Sequence, residues 1–203
     1  MASGALVLRD ARSDSADDIA DVSWALETAT GKMFSMMLGR RWQVVMNAVV
    51  ATSGHAWSVE RGRIAEVDGR VAGVTVSAPA ATPVSDPALG LGWGWLRLRM
   101  TAVALAGLPF LRFMESHVEG EWYLTAIAVR PPMRTAGVGS ALLADFLRRG
   151  RDQNLVTAAL DVDASNTGAE RLYRSNGFTV YDASPPAWLM GGIRVKRMHR
   201  ALG

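Results

Sequence analysis

The stretch WYLTAIAVRPPMRTAGVGSALL, residues 122–143, decides how this chain folds. Residues 122–129 carry no charge and are rich in β-branched and aromatic types, which predicts a buried strand. Pro131 and Pro132 cannot continue a hydrogen-bonded ladder, so the chain must turn. Arg134, Thr135, Ala136, Gly137, Val138, Gly139 and Ser140 follow. Beyond them Leu142, Leu143, Phe146 and Leu147 stand at i, i+1, i+4 and i+5, the apolar stripe of a helix. A strand, a glycine loop and a helix in that order make a backbone anion site. Gly137 and Gly139 let the chain come close to a ligand, and the N–H groups of the helix start point at it. The loop differs from a dinucleotide fingerprint, whose third glycine would fall where Leu142 stands. It also lacks the Gly-Lys-Ser/Thr ending of a Walker loop.

Working outward, the 203 residues suit one domain spanning 1–203, with an insertion at about 78–115. At 49% apolar residues there is enough material for a full core. The absence of cysteine excludes disulfides, thiolate metal sites and a thiol nucleophile, and no metal site is predicted. The first residues have a short apolar run and then acids, the reverse of a signal peptide, so a cytoplasmic location is expected. Net charge is only +3, and Lys32 and Lys196 are the only lysines. Arg194, Lys196, Arg197 and Arg200 form a modest basic cluster, which reads as a solvated terminal strand rather than a nucleic-acid surface. The cluster could equally face a cofactor's phosphates.

In chain order, residues 6–9 read as a first strand. Ser13 or Ser15 can cap a helix whose first turn holds Asp17 and Asp18. After Gly31 a second helical stretch is predicted over about 33–51. Residues 63–67 and 70–76 alternate around Asp68-Gly69, which calls for a hairpin with a two-residue turn. Residues 78–95 read as irregular. Residues 96–115 read as helical with a kink or split at Pro109. The most apolar part, 100–111, is shorter than the roughly 20 residues that cross a bilayer. A buried helix or a lid is the expectation there. Residues 156–162 read as a strand. Ser165, Asn166 or Thr167 offers a cap oxygen to the next helix, and Gly177 suits the left-handed position past its end. Residues 178–181 and 193–199 read as the last two strands.

Two motifs at the right separation carry a family resemblance. Arg134-x-x-Gly137-x-Gly139, five residues after a strand ending in Ala128-Val129, resembles the acyl-CoA loop of the GNAT family, the Gcn5-related N-acetyltransferases. The segment with Asn166, Ala169, Leu172, Tyr173, Gly177 and Phe178 resembles the family's second motif in order and spacing. The run Glu121-Trp-Tyr-Leu also resembles antibiotic N-acetyltransferases of the puromycin-resistance type, at those residues alone.

The resemblance implies an α/β (α+β) fold: a mixed, mostly antiparallel sheet of six to seven strands flanked by helices. It implies acetyl transfer from acetyl-CoA to a primary amine by direct attack. The main chain of Ile127, Ala128 and Val129 would pair with the pantetheine amides. The loop N–H groups from Arg134 through Thr135, Ala136, Gly137, Val138 and Gly139 to Ser140 would hold the pyrophosphate. Asn166 would bond the pantetheine arm, and Tyr173 would protonate the leaving thiolate, a phenol being neutral at pH 7 and able to donate. Relatives usually carry a basic residue or glycine where this chain has Thr135 and Ala136. Arg134 is then the only loop cation, and Arg130 is a second source of charge.

A neutral amine nucleophile needs a base. Strand alternation puts Glu121, Tyr123, Thr125 and Ile127 on one face and Trp122 and Leu124 on the other, and some relatives use a glutamate early in this strand. Glu121 is therefore the first candidate, followed by Glu119 and His117, then Asp161. The expected partners are acetyl-CoA and a small amine, aromatic or amphiphilic if the apolar insertion lines its pocket. A homodimer is compatible with the sequence. No nucleic acid, no stable membrane insertion and no metal are expected. Two other classes fit less of the sequence: an acyl-CoA-binding sensor or structural subunit without turnover, and a membrane-associated interaction protein.

Overall fold

Asp68 and Gly69 hold positive φ angles of 52° and 69°, the geometry of the two-residue turn that right-twisted strands prefer. They join strands Gly62–Val67 and Arg70–Pro79, so the hairpin lies where the alternation placed it. The computed structural model describes residues 5–84, 94, 98, 101, 108–116, 118, 120–134, 137–187 and 192–203. In chain order the elements are β1 (Leu6–Asp10), α1 (Ala16–Ala29), α2 (Met33–Leu38), α3 (Trp42–Ala51), β2 (Gly62–Val67) and β3 (Arg70–Pro79). They continue with α4 (Leu108–Glu115), β4 (Glu121–Val129), α5 (Val138–Asp152), β5 (Thr157–Asp163), α6 (Thr167–Ser175), β6 (Thr179–Ala183) and β7 (Val195–Ala201). The strands form one seven-stranded sheet in the order β1-β2-β3-β4-β5-β7-β6. The pairs β1–β2, β2–β3, β5–β7 and β6–β7 are antiparallel. This is the mixed, mostly antiparallel sheet with flanking helices that the sequence predicts.

The chain divides into two compact units. The first holds residues 1–78, 82–85 and 124–149, the second 79–81, 86–123 and 150–203.

In the first unit Ser15 caps α1 by accepting from the Asp18 N–H at 3.2 Å. Asp18 is itself buried and receives Arg9 at 2.6 and 2.9 Å and the Arg12 N–H at 2.8 Å. The helix expected over 33–51 is broken. Gly39, at φ 61° and ψ −142°, ends α2, and a short 3-10 turn over Gly39–Arg41 leads into α3. Buried Glu27 accepts the Phe34 and Ser35 N–H groups at 3.0 and 3.1 Å, so the donors at the start of α2 are satisfied from α1. Ala65, Ala72, Val138 and Leu142 form a solvent-free cluster, against which Leu8, Val67, Ile127, Val129 and Met133 pack. Gly73 makes that packing possible. A Cβ there would stand 2.9 Å from the Ala128 carbonyl oxygen and from a Leu142 methyl.

In the second unit β5 pairs with β7 along its whole length, Thr157 opposite Ala201 and Asp163 opposite Val195. Trp122 is buried, and a Cβ at Gly150 would come within 2.7 Å of its ring. Of the helix expected over 96–115, α4 is the part with defined bounds; Pro109 sits at its second residue, where a missing N–H costs nothing. Most of 96–107, and of the irregular stretch 85–95 before it, lies outside the described residues. Asn166 caps α6 through Oδ1, which accepts from the Ala169 N–H at 3.0 Å. Gly177, at φ 81°, closes the helix in the left-handed region, and the Phe178 N–H returns to the Tyr173 carbonyl at 3.1 Å. Among the described residues no helix is long and apolar enough to cross a membrane.

Candidate active site

The first unit carries the loop. After β4 the Arg130 N–H still donates to the Ala72 carbonyl at 2.8 Å, and Pro131–Met133 form one 3-10 turn. The Arg134 N–H donates to the Pro131 carbonyl at 3.3 Å, so that donor closes the turn. Gly137 has φ 77°, a conformation that strains any residue with a Cβ, and its carbonyl accepts the first helical bond, from the Ala141 N–H at 3.0 Å. The N–H groups of Val138, Gly139 and Ser140 therefore precede the hydrogen-bonded turns of α5. Val138 is locked in the core cluster, while Gly137 and Ser140 are exposed and Gly139 half-buried. Three donors are thus held by a buried valine beneath them, at the positive end of a 15-residue helix. Leu142, Leu143, Phe146 and Leu147 are all buried, as their spacing predicts. Thr135 and Ala136 lie outside the described residues.

Ile127, Ala128 and Val129 end β4, with Ala128 buried and its neighbours half-buried. Arg130 does not stand ready as spare loop charge. Its guanidinium pairs with Asp21 and lies 3.6 Å from the centre of the Trp24 ring. Burial outweighs that pairing at Asp21 and pushes its carboxyl above the usual range. Sequence reading missed this contact because Asp21 and Trp24 lie over 100 residues upstream.

The second unit carries the side chains. Tyr173 is 5% exposed and packs edge-on against Phe178, ring centres 6.0 Å apart. Burial pushes its phenol well above the ordinary value, so it stays protonated at neutral pH. Asn166 points Oδ1 at its own helix, leaving the NH2 branch as the group able to reach a ligand.

Glu121 is also 5% exposed, and its carboxylate accepts the Val118 N–H at 3.3 Å. Two residues along the same strand face, the Tyr123 hydroxyl donates to Asp161 at 3.0 Å. Burial, and then the Asp161 charge, hold the Tyr123 phenol well above its ordinary value. Asp161 accepts from Arg197 with both oxygens, each at 2.9 Å. These partners already fill its oxygens, which speaks against Asp161 as the base. His117 and Glu119, the next candidates, lie outside the described residues.

The terminal basic cluster is not the solvated strand the sequence suggests. Arg197 is 1% exposed, Lys196 pairs with Glu170 at 2.7 Å, and Arg200 donates to the Asn176 carbonyl at 2.6 Å. Nothing in the strand's own residues distinguishes Arg197 from its neighbours; only the β5–β7 register sets it opposite Asp161. Among the described residues no cluster of His, Asp or Glu side chains could hold a metal ion.

Solved structures share this fold. The chain superimposes on an N-acetyltransferase from Staphylococcus aureus Mu50 with a TM-score of 0.67 at 15% identity, covering 96% of this chain and 100% of that one. Ard1 from Thermoplasma volcanium gives 0.61 at 21% identity, covering 97% of each chain. The ribosomal-protein-S18-alanine N-acetyltransferase from Escherichia coli gives 0.54 at 17%, covering 98% and 95%. No curated protein matches the sequence. The profile of the Acetyltransferase (GNAT) family matches residues 55–178, from His55 ahead of the hairpin through both motifs to Phe178. With strand, glycine loop and capped second helix in family order, and more than half its length inside the family profile, the chain belongs to the GNAT family of acetyltransferases.

Proposed function

We propose that this protein is an N-acetyltransferase that moves the acetyl group of acetyl-CoA to a primary amine by direct attack. One observation supports the reading above the rest: Gly137 turns the chain so that the Val138, Gly139 and Ser140 N–H groups precede the first hydrogen-bonded turn of α5, with Val138 buried among them. That is chemistry for a phosphate. In this reading those donors take the pyrophosphate, the main chain of residues 127–129 takes the pantetheine amides, and the Asn166 NH2 group takes the pantetheine arm.

The neutral amine adds to the thioester carbonyl, forming the C–N bond. Collapse of the adduct breaks the C–S bond, and the thiolate receives the Tyr173 proton. The ammonium proton passes to Glu121, directly or through water. Burial makes the Tyr173 phenol a weaker acid than in water, so it keeps its proton at neutral pH until a strong base, the departing thiolate, stands beside it. The apolar residues of 78–115 would suit an amine carried on an aromatic or amphiphilic body, buried at about 25 cal/mol per Å². Such a wall disfavours a polycation whose charges it cannot pair.

The test is thiol release from acetyl-CoA with a panel of aromatic amines, amphiphilic monoamines, spermine, and a peptide with an N-terminal alanine. Turnover is expected to be highest with an aromatic or amphiphilic monoamine. A panel led by spermine or the peptide overturns the acceptor reading. Acetyl-CoA binding with no release for any amine leaves a binding subunit instead of an enzyme.

A further inference from the structure

Arg197 is a buried cation outside the glycine loop, and the chemistry above does not use it. Its side chain is 2% exposed, and that of its partner Asp161 is 4%. Burying an arginine is costly unless every donor is met. Here they are met. Nε donates to Asp161 Oδ1 at 2.9 Å, and Nη2 to Asp161 Oδ2 at 2.9 Å and to the Phe113 carbonyl at 2.8 Å. Nη1 donates to the Ser116 carbonyl at 2.6 Å and to the Ser116 hydroxyl at 3.1 Å. The guanidinium also lies 4.3 Å from the centre of the Phe113 ring. Burial works against its charge, but the Asp161 hydrogen bonds and charge outweigh this and raise its pKa.

These contacts have a direction. Phe113 lies in the last turn of α4 and Ser116 just beyond it, at the helix end where a cation is favoured; the Phe113 carbonyl also accepts the Ser116 N–H at 3.2 Å and the Ser116 hydroxyl at 2.7 Å. The chain from Ser116 leads in a few residues to Val118, whose N–H meets the Glu121 carboxylate, and then to Glu121 itself. On the other side Asp161 holds the hydroxyl of Tyr123, two residues past Glu121 on the same strand face. The pair therefore grips the start of β4 from both sides of Glu121. We propose that Arg197 and Asp161 are positioning residues for Glu121: Arg197 fixes the α4 end and the turn that presents Val118, and Asp161 fixes Tyr123. This rests on the reading of Glu121 as base and deepens it.

Stability alone does not require such a pair. Apolar residues of similar size often replace a buried ion pair at no loss of stability, whereas removing one partner leaves an unpaired charge. The informative variant is the double replacement Arg197→Met with Asp161→Leu, measured beside Glu121→Gln, all three changes together, and Asp161→Asn as a milder break. Acetyl-CoA affinity by calorimetry is expected to stay within about twofold in every variant. The double replacement should lower kcat/KM for the best amine by about 10²-fold, the scale for a misplaced catalytic group. In the Glu121→Gln background it should cost almost nothing further, because the pair acts through that carboxylate. Amide hydrogens of residues 113–121 should exchange faster in the double replacement and in Asp161→Asn.

Losses that multiply in the combined variant would make the pair merely structural and overturn the proposal. So would unchanged exchange over 113–121, a result that stands even if no amine is turned over. Absence of turnover in the parent protein, with faster exchange in the variants, refutes the enzyme reading and leaves the clamp.

Discussion

After β4 the candidate site is built on backbone: a left-handed glycine, the three N–H groups that precede the first hydrogen-bonded turn of α5, and a buried valine among them. The start of β4 is built on side chains: Tyr123 and Arg197 meet at Asp161 through hydrogen bonds of 2.9–3.0 Å, and Glu121, two residues before Tyr123, accepts the Val118 N–H. As an anion site the first arrangement needs few side-chain identities, because any anion with phosphate geometry can accept from fixed amides. The second works only if each group has its partner, because a buried charge with a missing partner is destabilising rather than neutral. Backbone sites therefore depend chiefly on a few glycines. Side-chain networks are specific and fail as units.

Breaking the chemistry while sparing both arrangements should give the largest effect. Tyr173→Phe removes one hydroxyl from a side chain packed on Phe178 and leaves the helix caps in place. The expected fall in kcat is about 10²–10⁴-fold with acetyl-CoA affinity kept. A kcat within about twofold of the parent would make Tyr173 a packing residue. Because burial holds its phenol high, any alkaline limb near pH 10 in the kcat profile should survive in Tyr173→Phe.

The backbone site breaks at its glycines. Gly137→Val with Gly139→Val should weaken acetyl-CoA by about 100-fold, since valine strains the left-handed position and covers the approach to the amides. Unchanged affinity by calorimetry would remove the loop from the cofactor site.

Two further glycines sharpen the contrast. Gly73→Ala puts a methyl against the Ala128 carbonyl and Leu142, beside the strand end and helix start that form the loop. Gly150→Ala puts one against Trp122 and Leu202. Each should cost about 1–3 kcal/mol in urea unfolding, the usual range for overpacking. Only Gly73→Ala should also weaken acetyl-CoA. Equal effects on binding would show that the loop does not depend on its own packing.

The smallest effect is electrostatic. The Arg9 hydrogen bond lowers the Asp18 carboxyl from 3.8 to about 2, against the opposing effect of burial. A depressed carboxyl stabilises the fold fully above its unfolded value and loses that contribution as pH falls through the folded one. Stability should therefore drop between about pH 4 and about pH 2, and the drop should shrink in Arg9→Met. Melting temperatures across that range check it. An identical slope in both proteins would count against it.

The elements legible from sequence are those whose cause lies within a few residues. Asp68-Gly69 sets its own turn, Ser15 and Asn166 cap helices from adjacent positions, and Gly177 ends one by adopting a φ that other residues resist. The stripe of Leu142, Leu143, Phe146 and Leu147 follows from helical periodicity. The break at Gly39 was less visible, since the apolar residues around it keep a helical rhythm on both sides. For the candidate site, Gly137, Gly139, Asn166 and Tyr173 stand out in the sequence because motif spacing is a local property.

What the tertiary structure alone decided is which charges have partners. Arg130 looks like spare cation beside the loop until α1 brings Asp21 and Trp24 to it, and Arg197 looks like one of four exposed bases until the β5–β7 register sets Asp161 opposite. Asp161 likewise looks like a possible base until Arg197 and Tyr123 occupy its oxygens. The physical reason is one of range. Backbone conformation is set by neighbours in sequence, so a chain encodes its turns, caps and glycine loop in short words. An ion pair between residues 36 apart forms only when strands have already chosen their register, and that choice belongs to the whole sheet.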